Sequence, residues 1–151
     1  MDYQLNLRLH HVGYVTKDIA TIAAEYGNRY GYEIATPVIH DPLQTAFVQF
    51  LKLNDDRVLL EFVAPNSLES KLWHSARRGG LNHLCYSCGP LGETIEGLQE
   101  RGMRLIMEPK PGVAFAGRRI CWMIGDDPLP VELVERESVD DPCTPGLSTT
   151  K

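Results

Sequence analysis

The chain has 151 residues, of which 43% are hydrophobic and 23% charged, with a net charge of −5. That size fits one domain, or two small modules sharing a core. An acidic balance with no basic block excludes nucleic acid or an anionic membrane as the main partner. No apolar run reaches the roughly 18 residues that cross a bilayer, and the start, Met-Asp-Tyr-Gln-Leu-Asn, lacks the basic and apolar regions of a signal peptide. The expectation is a soluble, cytoplasmic protein.

In chain order, the first element is a strand at residues 9 to 15, Leu-His-His-Val-Gly-Tyr-Val. A helix follows, because Ile19, Ile22, Ala23, Tyr26 and Tyr30 recur at steps of three and four after a cap at Thr16 or Asp18. Gly31 ends it. Strands are expected near 32–39, 45–52 and 57–63, and residues 65–80 form a linker. A second His-bearing strand then begins at Leu81-Asn-His-Leu-Cys-Tyr-Ser. Leu91, Ile95 and Leu98 mark a second helix ending near Gly102, and strands follow near 103–107, 118–124 and 129–135. Residues 137–151, with Asp-Asp-Pro, Thr-Pro-Gly and Ser-Thr-Thr-Lys, read as a disordered tail.

The two halves are a repeat. His11 and His83 are 83 − 11 = 72 positions apart; Glu61 and Glu132 are 132 − 61 = 71 apart; Gly31 and Gly102 are 102 − 31 = 71 apart. Each half, residues 7–64 and 81–136, is β-α-β-β-β, opening on a strand with a central His and closing on a strand with a central Glu. Residues two apart share a strand face, so all four polar side chains sit among apolar or small neighbours. A single buried carboxylate costs several kcal/mol without a cation. Two carboxylates and two imidazoles converging on one divalent ion would satisfy each other. Taken singly, any of the four is more ordinarily a solvent-facing or structural group; the repetition favours a metal site. Imidazole with carboxylate selects Ni, Co, Mn, Fe or Zn. The ion would act as a Lewis acid beside a carbonyl, with Glu132 or Glu61 moving the proton.

Other residues carry weaker signals. Arg118 and Arg119 open a strand, so one faces inward and offers an anion site for substrate, against the alternative of an exposed pair. Gln49 is a third substrate-binding candidate. Arg77 and Arg78 are solvated linker charges that could meet a polyanionic carrier. His10 points away from His11; His40 and His74 have no assigned role; Trp73 packs in the linker and Trp122 in the core. The four cysteines, Cys85, Cys88, Cys121 and Cys143, are expected to be free. Cys85 and Cys88 are spaced Cys-x-x-Cys, but no second pair completes a zinc site and the segment reads as a strand.

Leu9-His-His-Val-Gly-Tyr-Val15, Val58-Leu-Leu-Glu-Phe-Val-Ala-Pro65, Gly79-Gly-Leu-Asn-His-Leu-Cys85, Gly117-Arg-Arg-Ile120 and Val131-Glu-Leu-Val-Glu135 together resemble the vicinal oxygen chelate superfamily, over roughly residues 7 to 136. The resemblance implies an α+β fold of two βαβββ modules forming a curved, cup-shaped mixed sheet around a metal, with His11, Glu61, His83 and Glu132 as ligands. A full His-Glu-His-Glu set resembles the isomerase branch, glyoxalase I and methylmalonyl-CoA epimerase. The segment after Glu61 is more similar to the epimerases. Their second acid falls on Leu43 here, with Asp41 nearby. The implied function is an isomerase or epimerase working through an enolate on a small substrate, an acyl-CoA or a glutathione adduct, as a homodimer. A glyoxalase I-like lyase is the second enzyme reading, and a metal-free drug or metabolite binding protein the reading from another class.

Overall fold

The computed structural model describes residues 5–148. Residues 11–82 form one compact unit, and the described residues before 11 and after 82 form the other. The first strand, β1 (Arg8–Val15), begins in one unit and continues into the other.

The first unit carries β1 from His11 onward, α1 (Ile19–Tyr30), β2 (Glu33–Ile34), β3 (Ile39–Asp41), a 3-10 turn at Pro42–Gln44, β4 (Ala46–Lys52), β5 (Leu59–Pro65) and α2 (Trp73–Arg78). The run expected at 32–39 is thus two short strands, both antiparallel to β4. β4 is antiparallel to β5, and β5 is parallel to β1. Asp18 caps α1, its carboxylate accepting from the Thr21 N–H, and Gly31 closes it at φ 87, where a side chain would be strained. Ile19 and Ala23 press on Leu51, Leu60, Phe62 and Ala64. Phe62 is wholly buried there, which contributes about 2–3 kcal/mol. The linker is not featureless: it holds α2, for which the sequence offers no side-chain cap.

The second unit repeats the plan with β6 (Gly80–Cys88) from His83 onward, α3 (Leu91–Glu100), β7 (Arg104–Pro111), β8 (Arg119–Ile124) and β9 (Val131–Glu135). β7, β8 and β9 are successively antiparallel, and β9 runs parallel to β6. Leu91, Ile95 and Leu98 of α3 cover Cys88, Cys121, Met123 and Leu133. The α+β class and the paired βαβββ plan therefore stand as the sequence implies.

The tail does not match its expectation. Through residue 148 it is tied to the second unit, and residues 149–151 lie outside the described residues. Asp141 takes Nε and Nη2 of Arg118 at 2.8 and 3.0 Å, and accepts the backbone N–H groups of Glu137 and Cys143 at 2.8 and 2.9 Å. Cys143 is buried, and its carbonyl lies 2.8 Å from His10 Nε2. Gly146 bridges to Phe115, donating to the Ala114 carbonyl and accepting from the Ala116 N–H. Polar composition signalled disorder, but one buried carboxylate with four donors outweighs the absence of apolar mass.

Candidate metal centre

In the first module His11 comes from β1 and Glu61 from the neighbouring parallel strand β5. Glu61 lies opposite Gly13, two residues past His11, so both side chains project from one face. Both are buried, at 0% and 5% exposure, and His11 Nε2 is 3.3 Å from Glu61 Oε1. Phe50 of β4 lies opposite Glu61 and meets the His11 ring edge to face, with centroids 5.1 Å apart.

The second module has the same arrangement. Glu132 of β9 lies opposite Cys85, two residues past His83 of β6. Their exposures are 2% and 4%, and His83 Nε2 is 3.7 Å from Glu132 Oε1. Trp122 of β8 lies opposite Glu132 and meets the His83 ring edge to face at 4.8 Å. Its Nε1–H is buried without a hydrogen-bond partner.

A carboxylate at this depth requires positive charge beside it, and each module sets a carboxylate oxygen against an imidazole nitrogen. Two donors about 2.1 Å from an ion and roughly at right angles to tetrahedral are about 3.0–3.4 Å apart. The first module's 3.3 Å falls in that range and the second's 3.7 Å lies slightly beyond it; both hold a His/Glu group of the donor chemistry that suits a divalent ion. Phe50 and Trp122 are what the sequence reading missed. They are 122 − 50 = 72 positions apart, so the repeat that pairs each histidine with a glutamate also carries the aromatic ring against each histidine.

The substrate-binding candidates fall elsewhere. Gln49 lies opposite Phe62, on the α1 side of the sheet, and its Nε2 donates to the Thr36 carbonyl. It therefore does not share a face with His11 and Glu61. Arg119 shares the α3 side with Cys121 and Met123 and forms a bidentate pair with Glu135, 3.1 and 3.0 Å. Glu135 also accepts the Leu91 N–H, capping α3 in place of the missing side-chain cap at Pro90. Arg119 holds the Glu135 carboxyl below the usual carboxylate range against its burial, with the Leu91 N–H assisting. Arg118 lies just before β8, and its guanidinium is engaged by Asp141 and the Phe115 carbonyl. Burial by itself would raise the Asp141 pKa; Arg118 and the two backbone N–H groups hold it well below the usual range.

Leu43 sits half exposed in the 3-10 turn, and Asp41, on the face of Glu61, caps that turn by accepting the Gln44 N–H. Cys85 and Cys88 project from opposite faces of β6, so they form no pair. All four cysteines are free and buried. Burial pushes the Cys88 thiol up to about 11 and those of Cys121 and Cys143 to about 12.

With this geometry in view, the sequence profile of the Glyoxalase/Bleomycin resistance protein/Dioxygenase superfamily matches residues 10–122. The chain belongs to that superfamily. It is 26% identical over 117 residues to the ethylmalonyl-CoA/methylmalonyl-CoA epimerase of Cereibacter sphaeroides, covering 77% of this chain and 87% of that protein. It is also 26% identical over 128 residues to the uncharacterised protein YwkD of Bacillus subtilis, covering 85% and 96%. Among solved structures, the methylmalonyl-CoA epimerase of Mycobacterium tuberculosis superposes with a TM-score of 0.77 at 22% identity, over 89% of this chain and 92% of that one. A methylmalonyl-CoA epimerase in complex with methylmalonyl-CoA and ammonium gives 0.75 at 21%, over 90% and 98%. At these identities the structural likeness concerns the fold. No helix among the described residues is long and apolar enough to cross a membrane.

Proposed function

We propose that this chain is a divalent-metal-dependent epimerase that moves the proton beside the carbonyl of a small acyl-CoA, with His11, Glu61, His83 and Glu132 as the ligand set. One observation carries the reading: a buried His–Glu pair recurs at the equivalent register of both modules, at 3.3 and 3.7 Å. The epimerase name of the Cereibacter sphaeroides relative supports it. When bound, the metal ion supplies Lewis-acid stabilisation to an enolate oxygen.

The proton chemistry falls to this chain's carboxylates. Glu132 removes the proton and the C–H electron pair passes into the carbonyl; the planar enolate then turns its other face to the protonated Glu132, which gives the proton back and inverts the carbon. Leu43 supplies no second acid, and Asp41 is committed to its turn, so Glu132 serves as a one-base shuttle. Phe50 and Trp122 fix the imidazoles they touch and keep water from the ligand atoms.

The test is proton exchange on methylmalonyl-CoA in deuterated water, with elemental analysis of untagged protein purified without chelators. Expected are solvent-derived deuterium at the α-carbon, some internal return of the original proton, and about one metal ion per chain, as four ligands can hold. Absence of exchange on every acyl-CoA tried, together with absence of metal, would sink the reading in favour of a binding protein. Exchange that depends on glutathione would instead identify a glyoxalase I-like lyase.

A further inference from the structure

The first module has a cleft of about 270 Å³ where β1 ends and α1 begins. Tyr14, Lys17 and Thr21 line one wall, and Arg77, Arg78 and Gly79 of the α2 end line the other. Gly79 lets the chain turn from α2 toward the end of β1: its φ of 72 disfavours a side chain. α2 therefore delivers two consecutive arginines to the end of the strand that bears His11.

The chain carries a net −5, yet three cations gather in one cleft. Arg118 and Arg119 are each locked to a carboxylate. Among the described residues no ion pair engages Lys17, Arg77 or Arg78, and all three side chains are exposed. Of the two acids at the cleft, Asp18 is turned to the Thr21 N–H and Oγ1 as a helix cap, and Glu25 stands exposed one turn on. The start of α1 adds fixed positive potential. Guanidinium forks and an ammonium around a concavity are the chemistry that recognises phosphate.

We propose that this cleft binds the phosphate groups of a coenzyme A carrier, Arg77, Arg78 and Lys17 being the recognising side chains. The proposal rests on the acyl-CoA reading above and adds where the carrier's anionic end is held. His11 and Val15 are four residues apart on β1, about 13 Å along an extended strand. Tyr14 and α1 put the cleft on the side of the sheet opposite His11, so a pantetheine arm from a reacting acyl group to its phosphates would pass around the end of β1.

The experiment is calorimetric titration of the full chain with free coenzyme A, pantetheine and adenosine bisphosphate. The variants are Arg77→Glu/Arg78→Glu and, separately, Lys17→Gln, with thermal unfolding run on each. Wild type is expected to bind coenzyme A at least about tenfold tighter than pantetheine, since each charge-assisted contact is worth about a decade. That advantage should shrink at ~0.5 M salt, and adenosine bisphosphate should compete with coenzyme A. The double variant should lose the advantage and Lys17→Gln part of it, with pantetheine affinity and unfolding temperature unchanged. Equal binding of coenzyme A and pantetheine by wild type, no competition by the bisphosphate, or full coenzyme A affinity in the double variant would each overturn the proposal. No turnover is read, so a failed proton-exchange assay and a failed cleft give separate results.

Discussion

Replacing Asp141 with Asn tests the structural feature that composition hid most completely. The carboxylate meets Arg118 through two side-chain bonds of 2.8 and 3.0 Å, and two backbone N–H groups at 2.8 and 2.9 Å. The amide keeps the shape, removes the charge, and turns an N–H₂ toward donors. Breaking one partner of a buried pair costs about 3–5 kcal/mol; the Arg118 side chain is 14% exposed, which recovers part of that, leaving about 3 kcal/mol. For a chain of this length that is a fall in Tm of about 6–12 °C. Urea denaturation should show a lower midpoint at unchanged m-value. The pH dependence has a definite sign. The folded pKa of Asp141 is depressed, so the unfolded state binds more protons and the stabilisation is present above the ordinary carboxylate pKa of 3.8. It is lost progressively as pH falls from there to the folded value. The gap between wild type and Asp141→Asn should be constant from about pH 5 to 8 and close only in strong acid. A change under about 0.5 kcal/mol, the size of an ordinary surface substitution, would refute the clamp.

Three further outcomes are expected. Gly112→Ala should destabilise by about 1–3 kcal/mol in the same titration, because its Cβ would meet Ile120 Cγ2 at 2.9 Å and the Arg118 carbonyl at 3.1 Å; an unchanged midpoint would show that this loop yields freely. The native cysteines should resist a thiol reagent near neutral pH and react together on unfolding, since burial holds Cys88, Cys121 and Cys143 protonated; rapid labelling of the folded chain would contradict that. In metal content, His83→Ala should remove most of the ion while Glu61→Gln only weakens it, because an amide oxygen still ligates; equal content in wild type and both variants would count against the ligand assignment.

What the sequence revealed and what it concealed follow from how locally each feature is specified. Asp18 and Gly31 mark the ends of α1 within a few residues of chain, so both were legible. The two buried His–Glu pairs were legible because duplication wrote them twice. Gln49 was misplaced because β4 is buried on both faces for much of its length, so its own residues do not say which side is which; only the pairing of Gln49 with Phe62 does. Arg119 had the same difficulty, its side being fixed by Glu135 across the sheet. Trp122 was read as ordinary core because nothing near it in sequence points to His83, yet its offset from Phe50 matches that of the histidines. The tail was hidden because its partners, Arg118, Phe115 and His10, lie far along the chain.

Those distant partners bear on the order in which the molecule can assemble. Residues 11–82 are contiguous, so their unit has all its parts once that stretch has emerged from a ribosome. The other unit has to wait. Arg8 Nη1 donates to the Val139 carbonyl, Arg136 Nη2 to the Asn6 carbonyl, and His10 pairs with Cys143, across separations of 131, 130 and 133 residues. Closing a flexible loop of that length costs about 4 kcal/mol. A first unit already folded in between shortens the effective loop. Vectorial synthesis thus favours a sequence in which the middle of the chain condenses first and its flanks are stitched together last, with residues 5–10 left waiting for most of translation.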